Sequence, residues 1–221
     1  NGGALHDAIS GRGGHDTLSG GSGNDFIAGE DGDDILNGDG GNDFLDGGLG
    51  NDTITGGAGD DSLQGGDGND LLADDAGNNN LSGKAGDDTI RFAGTGANSA
   101  SGGDGNDTLI GGNGSGSLYG DAGNDRIEWH DSPSGETVAG SLVIHGGDGN
   151  DTFSLVIRSP RNAIVTGGSG ADTFIVSPAG SDAYYVTDFA PGDTGDQIDL
   201  SQLAPENVRL IQRGDHTVLQ F

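Results

Sequence analysis

The chain contains no cysteine and no methionine, and only one tryptophan and five prolines in 221 residues. Without cysteine there is neither a disulfide framework nor a thiolate metal site. Basic residues are scarce: 8 Lys and Arg face 36 Asp and Glu, a formal net charge of −28. A chain this acidic is a poor partner for nucleic acid, where affinity rests on neutralising phosphates. No apolar run is long enough to span a bilayer, and no amino-terminal leader pattern is visible. Only 30% of the residues are apolar. On composition alone that is the signature of a chain that cannot bury enough surface to order itself.

What the chain has in abundance is glycine, 48 residues of it, and it recurs with a period. GGSGNDFIA at 20–28 is followed by GEDGDDILN, GDGGNDFLD and GGLGNDTIT. Numbering each unit one to nine from its first glycine, position six holds Asp7, Asp16, Asp25, Asp34, Asp43, Asp52, Asp61 and Asp70. Asn79 interrupts, Asp88 restores the series, and Asp107, Asp125, Asp151 and Asp172 continue it after shifts of frame, with Gly116 as a second break. Position eight is large and apolar in all fifteen units, from Ile9 and Leu18 to Phe153 and Phe174. Such a period marks a solenoid whose units cannot bury an apolar face alone.

Each position has a physical role. Glycines at positions one, two and four permit positive φ and close approach of another backbone or an ion. Positions seven to nine form a three-residue stretch, too short for a helix and suited to a strand with one inward side chain. Two units then make one coil of eighteen residues. Coils stacked at roughly 4.8 Å bring units n and n+2 together on one edge. Asp7, Asp25 and Asp43 therefore stack on one edge, and Asp16, Asp34, Asp52, Asp70 and Asp88 on the other. Unit charges about 5 Å apart repel by roughly 3 kcal/mol at an effective dielectric of 20, and local Lys and Arg are too few to compensate. A hard divalent cation held by carboxylates and backbone carbonyls in a flexible cage would neutralise the rows, and such a cage favours Ca2+ over Mg2+. Two competing readings of the aspartates are a disordered acidic tract and simple turn formation. The unbroken apolar column argues against the first in the presence of calcium, and exclusive recurrence at one position argues against the second. Two apolar side chains per coil do not offset the ordering of eighteen residues, so ion binding is expected to supply part of the folding free energy.

GGSGNDFIA, GGLGNDTIT, GGDGNDTLI and GGSGADTFI resemble the nonapeptide G-G-x-G-x-D-x-U-x of the repeats-in-toxin (RTX) family. The resemblance implies an all-β, parallel β-roll, a right-handed β-solenoid of nonapeptide repeats, that binds multiple Ca2+ ions. It implies that one turn offers its position-six carboxylate with carbonyls of positions two and four, and the turn two units later its carboxylate with carbonyls of positions one and three. The implied metal ligands are then the position-six aspartates above and the turns between them: Gly20, Gly21, Ser22 and Gly23; Gly29, Glu30, Asp31 and Gly32; Gly38, Asp39, Gly40 and Gly41; Gly47, Gly48, Leu49 and Gly50; Gly56, Gly57, Ala58 and Gly59; Gly65, Gly66, Asp67 and Gly68. Asn79 and Gly116 depart from the pattern by lacking the carboxylate, and Arg12 and Lys84 by placing a cation at position two. On this pattern Asn79→Asp is expected to strengthen the junction with Asp61.

The regular roll is expected over 2–128, a wider part with insertions over 129–175 and a carboxyl-terminal cap over 176–221. FAGTGANSAS at 92–101 reads as a degenerate unit that keeps the solenoid continuous. In 129–145 a loop precedes the strand SLVIH, and LVIRSPRNAIVT at 155–166 has two β-rich ends around a turn. The segment YYVTDFAPGDTGDQIDLSQL at 184–203 resembles one that follows the repeats in serralysin-type peptidases and RTX adhesins. Its expected role is to close the last coil, with Asp188 and Asp199 in turns or the cap rather than on an ion of their own. VRLIQ and HTVLQF read as a terminal hairpin.

No catalytic constellation is found: there is no H-E-x-x-H and no nucleophile elbow. His6 and His15 fall at position five, a solvated turn position, and Trp129, Tyr184 and Tyr185 read as strand packing in preference to a sugar-binding patch. The resemblance implies a Gram-negative extracellular protein exported through a type I secretion apparatus, scarcely folded in the calcium-poor cytosol and folded outside. The chain begins within a repeat and is expected to be part of a larger polypeptide, whose attached domain could be a peptidase, lipase or toxin. The alternative is a module presenting a glycan- or surface-binding face in an adhesin or polysaccharide-modifying enzyme.

Overall fold

Glycine at position four has positive φ in coil after coil, as at Gly14 (120°), Gly32 (127°) and Gly50 (127°), a region closed to most side chains. Each such turn reverses the chain by half a coil, and two of them return it above its starting point. The computed structural model describes residues 1–131, 140–156, 163–176, 184–186, 195–199, 209–213 and 216–220. Among these there is no helix, and strands alternate between two sheets. One sheet has twelve strands, beginning with Ala8–Gly13, Phe26–Asp31, Phe44–Leu49 and Ser62–Asp67. The other has ten, beginning with Thr17–Ser22, Ile35–Gly40, Thr53–Ala58 and Leu71–Asp74. Successive strands within a sheet pair parallel and in register, Ile27 with Leu45 and Leu36 with Ile54. The result is a parallel β-solenoid of about nine turns, the fold expected from the repeat.

The strands are longer than the expected three residues. The first seven run six, through positions seven to nine and on to position three of the next unit. The backbone can continue because position two pairs across coils in its left-handed conformation: Arg12 with Glu30, and Asp39 with Gly57. That conformation is imposed even on side-chain residues, with φ 78° at Arg12, 77° at Glu30 and 88° at Lys84.

The core is a double column of position-eight side chains. Ile27, Leu45, Leu63 and Leu81 from one sheet face Leu36, Ile54, Leu72 and Ile90 from the other, all fully buried. The ten-residue segment 92–101 adds an ordinary half-coil: Ala97–Asp104 pairs with Asn80–Ala85 and with Ser115–Ala122, and Ala100 takes the buried position. Ile144 and Val165 do the same for the later irregular units. Toward the carboxyl end the column turns aromatic, where Phe153 and Phe174 stack at 4.7 Å.

Where a loop is expected from Trp129 on, Trp129 and His130 instead extend the strand Arg126–His130, and 132–139 lies outside the described residues; Leu142–Asp148 carries the expected strand SLVIH apart from Ser141. The last parallel strand of the larger sheet, Tyr184–Val186, pairs antiparallel with His216–Gln220, which pairs with Arg209–Arg213. This is the expected terminal hairpin. Asp188 and the D-F-x-P-G turn lie outside the described residues.

Candidate metal centre

The turns repeat, so their polar groups form rows. At position five, the side-chain oxygen of one unit accepts the backbone N–H of the unit one coil on. Asn24 Oδ1 accepts from Asn42 at 2.9 Å, and Asn51 Oδ1 from Asn69 at 2.9 Å. His6 and His15 use Nδ1 for the same purpose, accepting from Asn24 at 2.7 Å and Asp33 at 3.0 Å. Both histidines are exposed, as expected of a turn position. The frequency of Asn at position five has its reason here, in an acceptor ladder.

Position six runs the opposite way. Oδ1 of each aspartate accepts the backbone N–H of the aspartate one coil earlier: Asp34 donates to Asp52, Asp52 to Asp70 and Asp70 to Asp88, at 2.7 to 2.8 Å. This fixes the carboxylate and leaves Oδ2. In Asp16, Asp25, Asp34, Asp43, Asp52, Asp61, Asp70, Asp88, Asp107, Asp125 and Asp151, Oδ2 is buried with no hydrogen-bond partner. A row of buried, unsatisfied carboxylate oxygens in an otherwise well-bonded turn calls for a ligand.

Glycine at position one explains where that oxygen points. These residues, unlike those at positions two and four, lie outside the positive-φ region. They are glycine for want of space. A Cβ on Gly29, Gly47, Gly65, Gly83 or Gly120 would run into Oδ2 of the same unit's aspartate and the position-one carbonyl oxygen of the next coil. Carboxylate and carbonyl oxygens thus converge beside position one. Carbonyls of positions two and four also aim across the junction: Glu30 O at Gly48, and Gly32 O at Gly50. The carbonyls of position three, including Asp31, Gly40, Leu49, Ala58 and Asp67, already accept a backbone N–H from position four at 2.7 to 2.8 Å, and a carbonyl retains a second lone pair. Among the described residues no three His, Cys, Asp or Glu side chains gather as a metal cluster. The donor set is two carboxylates per junction plus backbone oxygen, which fits a hard cation with many oxygen ligands.

Without a cation these carboxyls are held high. Burial, the largest effect, pushes Asp70, Asp107 and Asp125 up to about 6 and Asp88 and Asp151 up to about 7; nearby carboxylates add to it and the donated N–H opposes it.

The two edges are unequal. On one, the hydrogen-bonded row runs without a break from Asp16 through Asp34, Asp52, Asp70, Asp88, Asp107, Asp125, Asp151 and Asp172 to Asp196. Asp196 completes this row from within the segment expected to close the last coil; its surroundings in the sequence, G-D-Q-I-D, keep the position-six to position-eight spacing to Ile198. On the other edge the row runs Asp7, Asp25, Asp43, Asp61, Asn79 and Asn98. The register then continues through Gly116 to Leu142 and Ala163. Position one changes in step. Asp74 pairs in register with Phe92, and further on Gly111 with Trp129 and Trp129 with Leu155. Phe92 and Trp129 are buried and meet edge to face at 6.0 Å, with Gly111 beneath them because a Cβ there would strike both rings. Trp129 is therefore core packing, and its Nε1–H donates to Asp131 at 2.9 Å. The apolar side chains take the space that glycine leaves open on the other edge.

A model of the RTX calcium-binding nonapeptide repeat, four copies long, matches residues 1–36, 10–45, 19–54, 37–72, 74–91, 92–127 and 143–155. No curated protein matches the chain. Matched over more than half its length, with buried orphan carboxylates at the position the repeat demands, the chain belongs to the RTX calcium-binding nonapeptide repeat family and is a β-roll that binds several calcium ions.

Proposed function

We propose that this β-roll is a calcium-operated folding module of a protein exported through a type I secretion apparatus. Calcium supplies positive charge between successive turns. The chain's own contribution is a set of carboxylates that cannot be buried side by side without it. The observation that carries the reading is the buried, unpartnered Oδ2 repeated from coil to coil. In a calcium-poor cytosol the 36 acidic residues favour an expanded, threadable chain. At the millimolar calcium outside, extracellular-type sites with dissociation constants of about 10⁻⁴–10⁻³ M fill and the roll closes. Folding then discourages backward movement and gives an attached domain a rigid neighbour. The ligands we assign are the position-six aspartates with the carbonyls of positions one to four.

The test is removal of calcium with a chelator, read by circular dichroism and hydrodynamic radius. The β signal and compactness should both be lost and both return with calcium, with magnesium far less effective. An unchanged β spectrum in excess chelator overturns the folding role.

A further inference from the structure

The unit that lacks the position-six carboxylate, 74–82, has one at position one instead. Everywhere else on that edge up to this level position one is glycine: Gly2, Gly20, Gly38 and Gly56. Around Gly38 the oxygens that converge are Asp43 Oδ2 and the carbonyl of Gly56. Around Gly56 they are Asp61 Oδ2 and, in the carbonyl's place, Oδ2 of Asp74. Both carboxylates are almost fully buried, Asp61 at 3% and Asp74 at 2% exposure. Neither Oδ2 accepts from an N–H or hydroxyl group; the side-chain group each carboxyl faces is the other. The other oxygen of each is held in place: Asp61 Oδ1 accepts from Asp43 N–H at 2.7 Å, and Asp74 Oδ1 from Ala76 N–H at 3.0 Å.

Asn79, the residue at the expected ligand position, is turned to other work. Its Oδ1 keeps the ladder bond from Asp61 N–H at 2.8 Å, and its Nδ2 donates to the Ala76 carbonyl at 3.0 Å. A donor NH2 stands where the ligating oxygen of an aspartate would be, and an NH2 repels a cation.

We propose that Asp74 supplies the second carboxylate of a calcium site between the Asp61 turn and the 74–82 turn, a site built by moving the charge from position six to position one. Two carboxylates per junction are kept. The same change ends the row. Phe92 follows Asp74 in register, so this is the last ion on that edge. On this assignment Asn79→Asp alone adds a third carboxylate to a complete site and does not strengthen it.

The inference rests on the calcium assignment and not on calcium-dependent folding. Its test counts calcium ions bound per full-length chain, by native mass spectrometry and calorimetric titration, at a calcium concentration that just saturates the wild type. Asp74→Asn should bind one ion fewer while the β spectrum at high calcium is kept. The double variant Asp74→Gly with Asn79→Asp rebuilds a regular unit and should regain the full count. An unchanged count and affinity in Asp74→Asn overturns the proposal. Should Asp74→Asn not fold, the double variant decides: a full count supports the charge transfer between positions, and a count short by one overturns it. A wild type that binds no calcium at all instead overturns the calcium assignment beneath it.

Discussion

Asp52 donates its backbone N–H to Oδ1 of Asp70 at 2.7 Å, and the other oxygen of Asp70 is buried with nothing to accept from. One carboxylate thus holds two coils together with one oxygen and offers the other to an ion. Substitution can separate these roles. Asp70→Asn keeps an acceptor for the Asp52 amide and removes the charge, so calcium affinity should fall with little change in the fold at saturating calcium. Asp70→Ala also leaves the Asp52 N–H unpaired in a buried turn, which costs about 1–3 kcal/mol more. Thermal unfolding at saturating calcium should therefore rank wild type, Asn and Ala in that order; equal Asn and Ala midpoints would refute the ladder role.

The high carboxyl values set a pH dependence. Asp70, Asp88, Asp107, Asp125 and Asp151 are raised from 3.8 to about 6 or 7 in the calcium-free coil. The folded chain holds these protons more tightly than the unfolded one, so protonation stabilises the calcium-free fold. That contribution is complete below about pH 3.8 and is lost as pH rises through 6 to 7. The metal-stripped chain should gain β signal on acidification across this range. Calcium competes with the same protons, so its apparent affinity should weaken as pH falls from 7.5 to 5.5. A calcium midpoint independent of pH in that interval would contradict this.

Position one should tolerate no side chain on the long edge. Gly65→Ala places a methyl group against Asp70 Oδ2 and 2.7 Å from Gly83 O, an overpacking cost of about 1–3 kcal/mol that also fills the ion junction. Gly13→Ala is the control. Its Cβ would have no neighbour closer than 3.8 Å, and its calcium titration should match the wild type. Equal effects from the two would show that position-one glycine is not kept for space.

The carboxyl-terminal strands close both sheets, since Gln197–Asp199 ends the smaller and the antiparallel hairpin ends the larger. An uncovered solenoid end exposes unpaired strand edges and apolar cross-section. A chain cut after Pro178 retains the aspartates up to Asp172, yet it should need more calcium to fold and should associate once folded. Calcium titration by circular dichroism with light scattering compares 1–178 with the full chain. Superimposable curves without association would make the tail an independent appendage.

The period of nine, the inward residue at position eight and the stacking of every second unit were legible in the sequence because they follow from local rules repeated many times. An Asp in a turn, a Leu two residues on and a glycine before them mean the same thing in each copy. What the repeat does not carry is parity. Which edge a unit falls on depends on how many half-coils precede it, including the degenerate ones. Only the folded register shows that Phe92, Trp129 and Leu155, and with them Asn98, Leu142 and Ala163, all fall on the same edge. That placement leaves Asp16 to Asp196 an unbroken row and lets Phe92, Trp129, Leu142 and Leu155 fill the opposite edge with core. The role of Asp74 is hidden in the sequence for the same reason. Read along the chain it is a poor position one; read across the coils, its carboxylate stands beside that of Asp61, thirteen residues away in sequence, at the junction where Asn79 has none. Local propensity set the shape of each turn, and the long-range stacking of turns decided which oxygens share a site.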